Sequence, residues 1–182
     1  MSFAFRSLEI PDVVLVSPTR RGDARGFFAE TYRASEFAEA GITTPFVQDN
    51  LARSGPRVLR GLHYQLPPVP QGKLVQVLRG RIFDVAVDLR RGSPTFGRWV
   101  GHELGEEAGE LLWIPPGFAH GYAVLSDGVD LAYKVTTEYQ ADLDRGVRWD
   151  DPTLGVAWPF GDPVLSDRDR TLPLLADIGT PF

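Results

Sequence analysis

The sequence contains no cysteine. That excludes a disulfide framework, a thiolate zinc site and a cysteine nucleophile. Lysine is nearly absent: Lys73 and Lys134 stand against 17 arginines. Where any cation would serve, this chain carries arginine, so a retained lysine hints that a compact point charge is wanted there. Histidine is scarce too, at His63, His102 and His120. No Lys/Arg-rich run appears and the formal net charge is −5, so the electrostatic footprint of a nucleic-acid binder is missing. No apolar run approaches the ~20 residues of a membrane span. The first residues, Met1-Ser2-Phe3-Ala4-Phe5-Arg6, show no basic region followed by an apolar one. The expectation is a cytoplasmic protein with neither nucleic-acid nor membrane partners.

What is abundant is punctuation. Nineteen glycines and 15 prolines divide the chain into short β-branched or aromatic segments, the pattern of a sandwich or barrel. Strands are expected over 13–16, 27–32, 46–51, 58–64 and 74–79. Gly80-Arg81 reads as a hairpin turn into Ile82–Leu89, which alternates with period two: Phe83, Val85, Val87 and Leu89 on one face, Ile82, Asp84, Ala86 and Asp88 on the other. Further strands are expected over 98–103, 110–114, 121–125 and 131–136. Only Ser35–Ala40 reads as a helix, with Ser35 as N-cap and Gly41 as its stop. About ten strands at even spacing suggest an all-β double-sheet jelly roll. The 182 residues suit a single domain over 1–182, with the proline-punctuated segment from about residue 159 wrapping the barrel.

The scarce chemistry is concentrated. Leu59-Arg60-Gly61-Leu62-His63-Tyr64-Gln65 and Gln71-Gly72-Lys73-Leu74-Val75 are two strand-like segments joined by a proline-rich link. An arginine suits a phosphate, a histidine moves protons near neutral pH, and a lysine steadies an oxyanion. A jelly roll can carry a metal on three histidines and a carboxylate, usually with two spaced H-x-H. Here Gln65 stands two after His63, and His102 and His120 are isolated, so no metal is expected. Without metal, a base on His63 needs a carboxylate partner, for which Asp84, Asp88, Asp167 and Asp169 are candidates. Asp84 could instead pair with Lys73. Tyr133 is the natural opposing acid, and alternation turns it away from Lys134. Arg25, in a tight turn, and Arg60, within a strand, could clamp a diphosphate. Tyr139, in a polar segment, could stack on a base.

Eight blocks then fall in one order: Asp23-Ala24-Arg25-Gly26-Phe27-Phe28-Ala29-Glu30, Gln48-Asp49-Asn50, the Leu59–Gln65 segment, Gly72-Lys73-Leu74-Val75, Phe83–Asp88, Ile114–Gly121, Tyr133-Lys134 and Leu165-Ser166-Asp167-Arg168-Asp169. In that order the chain resembles the dTDP-4-dehydrorhamnose 3,5-epimerases from about residue 3 to 175. The resemblance implies a cupin-like jelly roll with a few short helices and no cofactor. It implies a homodimer that exchanges an N-terminal strand, and a dTDP-sugar substrate inverted at C3 and C5 through enolates. His63 would be the base, Asp169 its partner, Lys73 the enolate stabiliser and Tyr133 the returning acid. Substrate contacts would come from Arg25, Phe27, Glu30, Gln48, Asp49, Asn50, Arg60, Lys73 and His120, with Tyr139 stacking on thymine. Asp144 stands where glutamate is usual and Arg168 where lysine is usual. Rival readings are a mono-epimerase, a non-catalytic sugar-nucleotide binder and a metal-dependent cupin.

Overall fold

The computed structural model describes residues 2–179 and 181–182, so residues 1 and 180 of the expected domain lie outside the described residues. The chain forms β1 (Phe3–Ser7), β2 (Val14–Pro18), β3 (Arg21–Asp23), β4 (Gly26–Phe28), α1 (Ala34–Glu39), β5 (Gln48–Ser54), β6 (Leu59–Gln65) and β7 (Lys73–Arg79). It continues through β8 (Arg81–Asp88), β9 (Trp99–Gly105), β10 (Leu111–Ile114), β11 (Phe118–Val124), β12 (Val129–Val135), β13 (Asp144–Gly146) and the one-turn α2 (Asp167–Arg170). Six strands make one sheet in the order β1-β2-β10-β7-β12-β5, and five make the other in the order β13-β6-β11-β8-β9. The pairs within both sheets are antiparallel. The expected all-β jelly roll is what forms. Among the described residues, no helix is long and apolar enough to cross a membrane.

Between the sheets lies the main core. Val75, Val77 and Leu131 come from the six-stranded wall, and Ile82, Ala86, Val100, Leu104 and Tyr122 from the five-stranded wall. The period-two reading of β8 is correct, and both of its faces are covered. Ile82 and Ala86 enter this inner core, while Val85, Val87 and Leu89 join a second cluster on the outer face. There Leu154, Trp158, Leu175, Ile178 and Phe182 lie against the back of the sheet. A strand buried on both sides is why β8 reads as an almost unbroken apolar run.

Four expectations fail for physical reasons. Gly80 is no hairpin turn, because β7 and β8 belong to different sheets. The chain turns a corner at positive φ (85°), and a Cβ at Gly80 would sit 2.2 Å from the Gly128 carbonyl oxygen. The apolar run at 27–32 is not one strand. Only Gly26–Phe28 pairs, with Arg21–Asp23, as an exposed hairpin outside both sheets. The helix runs over Ala34–Glu39 rather than Ser35–Ala40, and its cap is Arg33, two residues before the expected Ser35, with no side-chain cap bond. Arg33 instead pairs with Glu30 and Glu36. Its stop at Gly41, φ 88°, is where expected. The strands β1, β3 and β13 carry no strong apolar alternation and fall outside the strands read from periodicity, and β1 pairs with β2 of its own chain.

The back of the six-stranded sheet is covered over one half only. There α1 buries Phe37 completely in edge-to-face contact with Phe3, Phe5 and Tyr32, beside Phe46 and Trp113. Over the other half, Leu51 (73%) and Leu78 (51%) stay exposed, and Phe27 and Phe28 of the hairpin are equally bare, with Phe27 lining the same surface depression as Leu78.

Candidate active site

Arg60 and His63 are three residues apart on one strand, a spacing that in a regular strand sends side chains to opposite faces. The register shows how both reach the interior. Arg60 pairs with Tyr122 and His63 with His120, so Gly61 and Leu62 together stand opposite Gly121. This bulge adds one residue and restores the face. It requires glycine on both strands: a Cβ at Gly61 (φ 133°) would lie 2.5 Å from the Gly121 Cα, and one at Gly121 would lie 2.8 Å from the Arg60 carbonyl oxygen. The sequence placed Arg60, His63 and Lys73 on neighbouring strands. Instead β6 and β7 lie in different sheets, so Lys73 faces His63 from the opposing wall.

The five-stranded wall carries the histidines. His63 Nε2 is 2.6 Å from Asp169 Oδ1, and α2 delivers that carboxylate 106 residues further along the chain. The helix is fixed by its N-cap: Ser166 Oγ accepts from the Asp169 amide at 3.1 Å. Burial would raise the Asp169 carboxyl, but the hydrogen bond and charge of His63 outweigh it and hold the group below its ordinary value. An ionised Asp169 keeps the proton on Nε2 and leaves the lone pair on Nδ1, the arrangement of a general base. Beside it, His120 Nε2 lies 3.0 and 2.9 Å from the two oxygens of Asp84, a carboxylate with no solvent exposure. Of the four carboxylates considered for His63, Asp169 takes the place. Asp84 serves His120, and Asp88 is buried among Arg90, Ser93 and Thr95 at the strand's end.

The six-stranded wall carries the cation and the phenol. Lys73 is buried, and its Nζ donates to the His63 carbonyl at 3.3 Å. Desolvation pulls its pKa down to about 8, with Asp144 and Asp84 pulling the other way. It stays largely protonated at neutral pH and is desolvated, the condition under which a cation stabilises an oxyanion most. Tyr133 belongs to the same interior, and burial raises its phenol, so it keeps its proton and can donate it. Arg60 reaches across to this wall, with Nε 3.0 Å from Ser54 Oγ, and Ser54 Oγ also meets Tyr122 at 3.1 Å. Gln48 and Asn50 share the inner face of β5 with Ser54 and bond each other at 2.8 Å.

The rim is built from three segments. Tyr139 donates its hydroxyl to Asp144 at 3.2 Å, and Arg168 donates to the same oxygen at 2.6 Å. The Tyr139 amide meets Gln48 at 2.9 Å, and Gln65 ties the neighbouring loops together through Val69 and Gln140. A cleft of about 380 Å³ opens beside His63, lined by Arg60, Ser166, Arg168 and Asp169.

Some of the anticipated residues do not join. Asp49 alternates outward and pairs with Lys134 at 2.9 Å on the sheet's back. Arg25, on the exposed β3–β4 hairpin, bonds only its neighbour Asp23 among the described residues. Phe27 lies under Arg20, and Glu30 pairs with Arg33 and keeps a buried oxygen without a partner. Sequence reasoning passed over Ser54 and Tyr122. It weighed Asp84 as a partner for His63 or for Lys73, whereas the carboxylate hydrogen-bonds His120. Among the described residues, no group of three or more His, Asp or Glu side chains is placed to hold a metal ion.

Residues 7–177 match the family model described as dTDP-4-dehydrorhamnose 3,5-epimerase. The enzyme of that name from Pseudomonas aeruginosa is 52% identical over 172 residues, covering 93% of this chain and 94% of its own. That from Shigella flexneri is 51% identical over 162 residues, covering 88% and 90%. Among solved structures, dTDP-6-deoxy-D-glucose-3,5-epimerase from Legionella pneumophila, in complex with dTDP-4-keto-L-rhamnose, superposes with a TM-score of 0.93 at 48% identity, covering 97% of this chain and 94% of that one. The Bacillus anthracis enzyme, with TDP and PPi bound, gives 0.92 at 44% identity, covering 94% and 99%.

Proposed function

The chain belongs to the dTDP-4-dehydrorhamnose 3,5-epimerase family, and from that membership we propose how its residues divide the inversion of C3 and C5 of dTDP-4-dehydro-6-deoxy-D-glucose. The C4 ketone acidifies the hydrogens on both neighbouring carbons. His63 Nδ1 takes a proton from the face of the five-stranded wall, and the C–H electron pair moves into an enolate whose oxygen meets Lys73. A proton returns from the opposite wall, where Tyr133 stands at least for C5, and the centre inverts. What supports this reading is a carboxylate-backed histidine on one sheet and, on the other, a phenol that burial keeps protonated. Proton transfer at each group contributes roughly 10²–10⁴-fold, and a preorganised oxyanion donor about 10²–10³-fold.

Arg60 takes the diphosphate, His120, Gln48 and Asn50 the adjoining polar groups, and Tyr139 the thymine face, with Asp144 and Arg168 at the rim. Arg25, Phe27 and Glu30 serve the site of a second copy. The exposure of Arg25 and Phe27 in a single chain and the bare half of the six-stranded back support a homodimer in which the β3–β4 hairpin crosses over. The substrate is a soluble nucleotide sugar, and the cytoplasm is the compartment proposed.

Incubation with substrate in D₂O tests the reading. Deuterium is expected at both C3 and C5 of the product. Incorporation at C3 alone would assign the chain to mono-epimerases, and none at either position would end the catalytic reading.

A further inference from the structure

Two histidines stand directly opposite each other on β6 and β11, and each places Nε2 on a buried carboxylate. One carboxylate, Asp169, belongs to the base of the proposed reaction. The other, Asp84, has no solvent exposure, and both of its oxygens are committed to His120. A fully desolvated carboxylate inside a catalytic cavity is expensive to keep unless its charge is used.

We propose that Asp84 is a positioning residue of the epimerase reaction: it fixes His120 with Nδ1 turned to the substrate and supplies the buried countercharge that keeps Lys73 cationic at the enolate oxygen. The proposal rests on the epimerase reading above. Its geometric basis is the alternation of β8, which turns Asp84 into the interior, and the diagonal step to His120 on the adjacent strand.

Lys73 Nζ donates to the carbonyl of His63 on β6, His63 stands opposite His120 of β11, and His120 holds Asp84 of β8. Arg60 and Tyr122 are the next pair along β6 and β11, Asp144 of β13 stands opposite Gln65 of β6, and Tyr133 lies two residues from Val135, the β12 partner of Lys73. Desolvation lowers the lysine, while Asp144 and Asp84 oppose that fall. Asp144 contributes more, but it shares its charge with Arg168 at the partly open rim. Asp84 is shielded from solvent and meets only the His120 imidazole among the described residues. Removing the Asp84 charge therefore lowers the lysine further, and a neutral amine no longer stabilises an enolate.

The test has one measurement on the unaltered protein and two on variants. Imidazole ¹⁵N shifts of the wild type should show His120 protonated on Nε2 with a free lone pair on Nδ1; a spectrum showing Nδ1–H overturns the proposal. In Asp84→Asn, kcat should fall about 10²-fold with KM within about threefold, and the high-pH limb of activity should move down by about one pH unit. Asp84→Glu should restore the limb while kcat stays reduced, because the charge returns but is displaced. A variant that melts earlier yet keeps the wild-type pH profile and kcat shows a structural role only and overturns the proposal. Wild-type exchange in D₂O is read first. Its absence sinks the functional reading, whereas the His120 tautomer is measured without turnover, so the two failures are distinct.

Discussion

The two sheets meet the same cavity but are finished differently on their backs. The five-stranded sheet is closed by its own chain, through Trp158, Leu175, Ile178 and Phe182. The six-stranded sheet is closed over one half by α1 and left bare at Leu51 and Leu78. Their inner faces differ as well: histidines and carboxylates on one, lysine and phenol on the other. The sheet that holds the base is complete within one chain. The sheet that holds the acid lacks half its cover, and the anticipated contact residues Arg25 and Phe27 stand outside on a hairpin.

The sharpest way to break this comparison is to disable each wall in turn. His63→Ala should lower deuterium exchange into substrate by about 10³-fold while dTDP binding stays measurable. Tyr133→Phe should lose inversion by a similar factor but keep exchange, because His63 still removes protons and returns deuterium to the same face. Nuclear magnetic resonance of the sugar ring reads both. Equal loss of exchange in the two variants would refute the division of labour between the walls.

The backs give the next largest effect. Leu51→Asp combined with Leu78→Asp should leave the monomer fold intact and lower the apparent mass in sedimentation to that of one chain. Activity should fall at least tenfold at low protein concentration if the hairpin completes a neighbour's site. Trp158→Ala should do the reverse. The indole packs on Phe83 and donates to the Trp149 carbonyl at 2.8 Å, so stability should drop by about 3 kcal/mol with the oligomeric state unchanged. A wild-type chain that sediments as a monomer ends the idea of a shared site.

Much of this was legible in the sequence, and the limits have physical causes. The alternation of β8, the glycine stop at Gly41 and the cluster of scarce cations are local signals, and they survive folding. The closure of the site is not local. His63 and Asp169 are brought together across 106 residues of chain, and only the family resemblance singled Asp169 out among four carboxylates. The bulge at Gly61-Leu62 reverses the facing that period two predicts, and nothing in that dipeptide announces it apart from the glycine. The turn at Gly80 has hairpin composition, but the Gly128 backbone crowding it belongs to a distant loop. The run at 27–32 has strand composition because Phe27 and Phe28 are apolar, yet they remain in solvent in this chain.

The smallest predicted effect concerns the rim, where the sheets' ends meet. Asp144 and Arg168, one side chain shorter and the other longer than the resemblance leads one to expect, bond at 2.6 Å. Because Arg168 is half exposed, the pair should add only about 0.2–1 kcal/mol to stability. Its charge still reaches Lys73, so Asp144→Asn should move the high-pH limb of activity downward, as Asp84→Asn does. The two should part in salt. Near 1 M the Debye length shrinks to about 3 Å, which should erase most of the Asp144→Asn shift and leave that of Asp84→Asn in place. If salt erases both equally, the interior of the barrel is wetter than its buried carboxylates imply, and the two walls share one screened field.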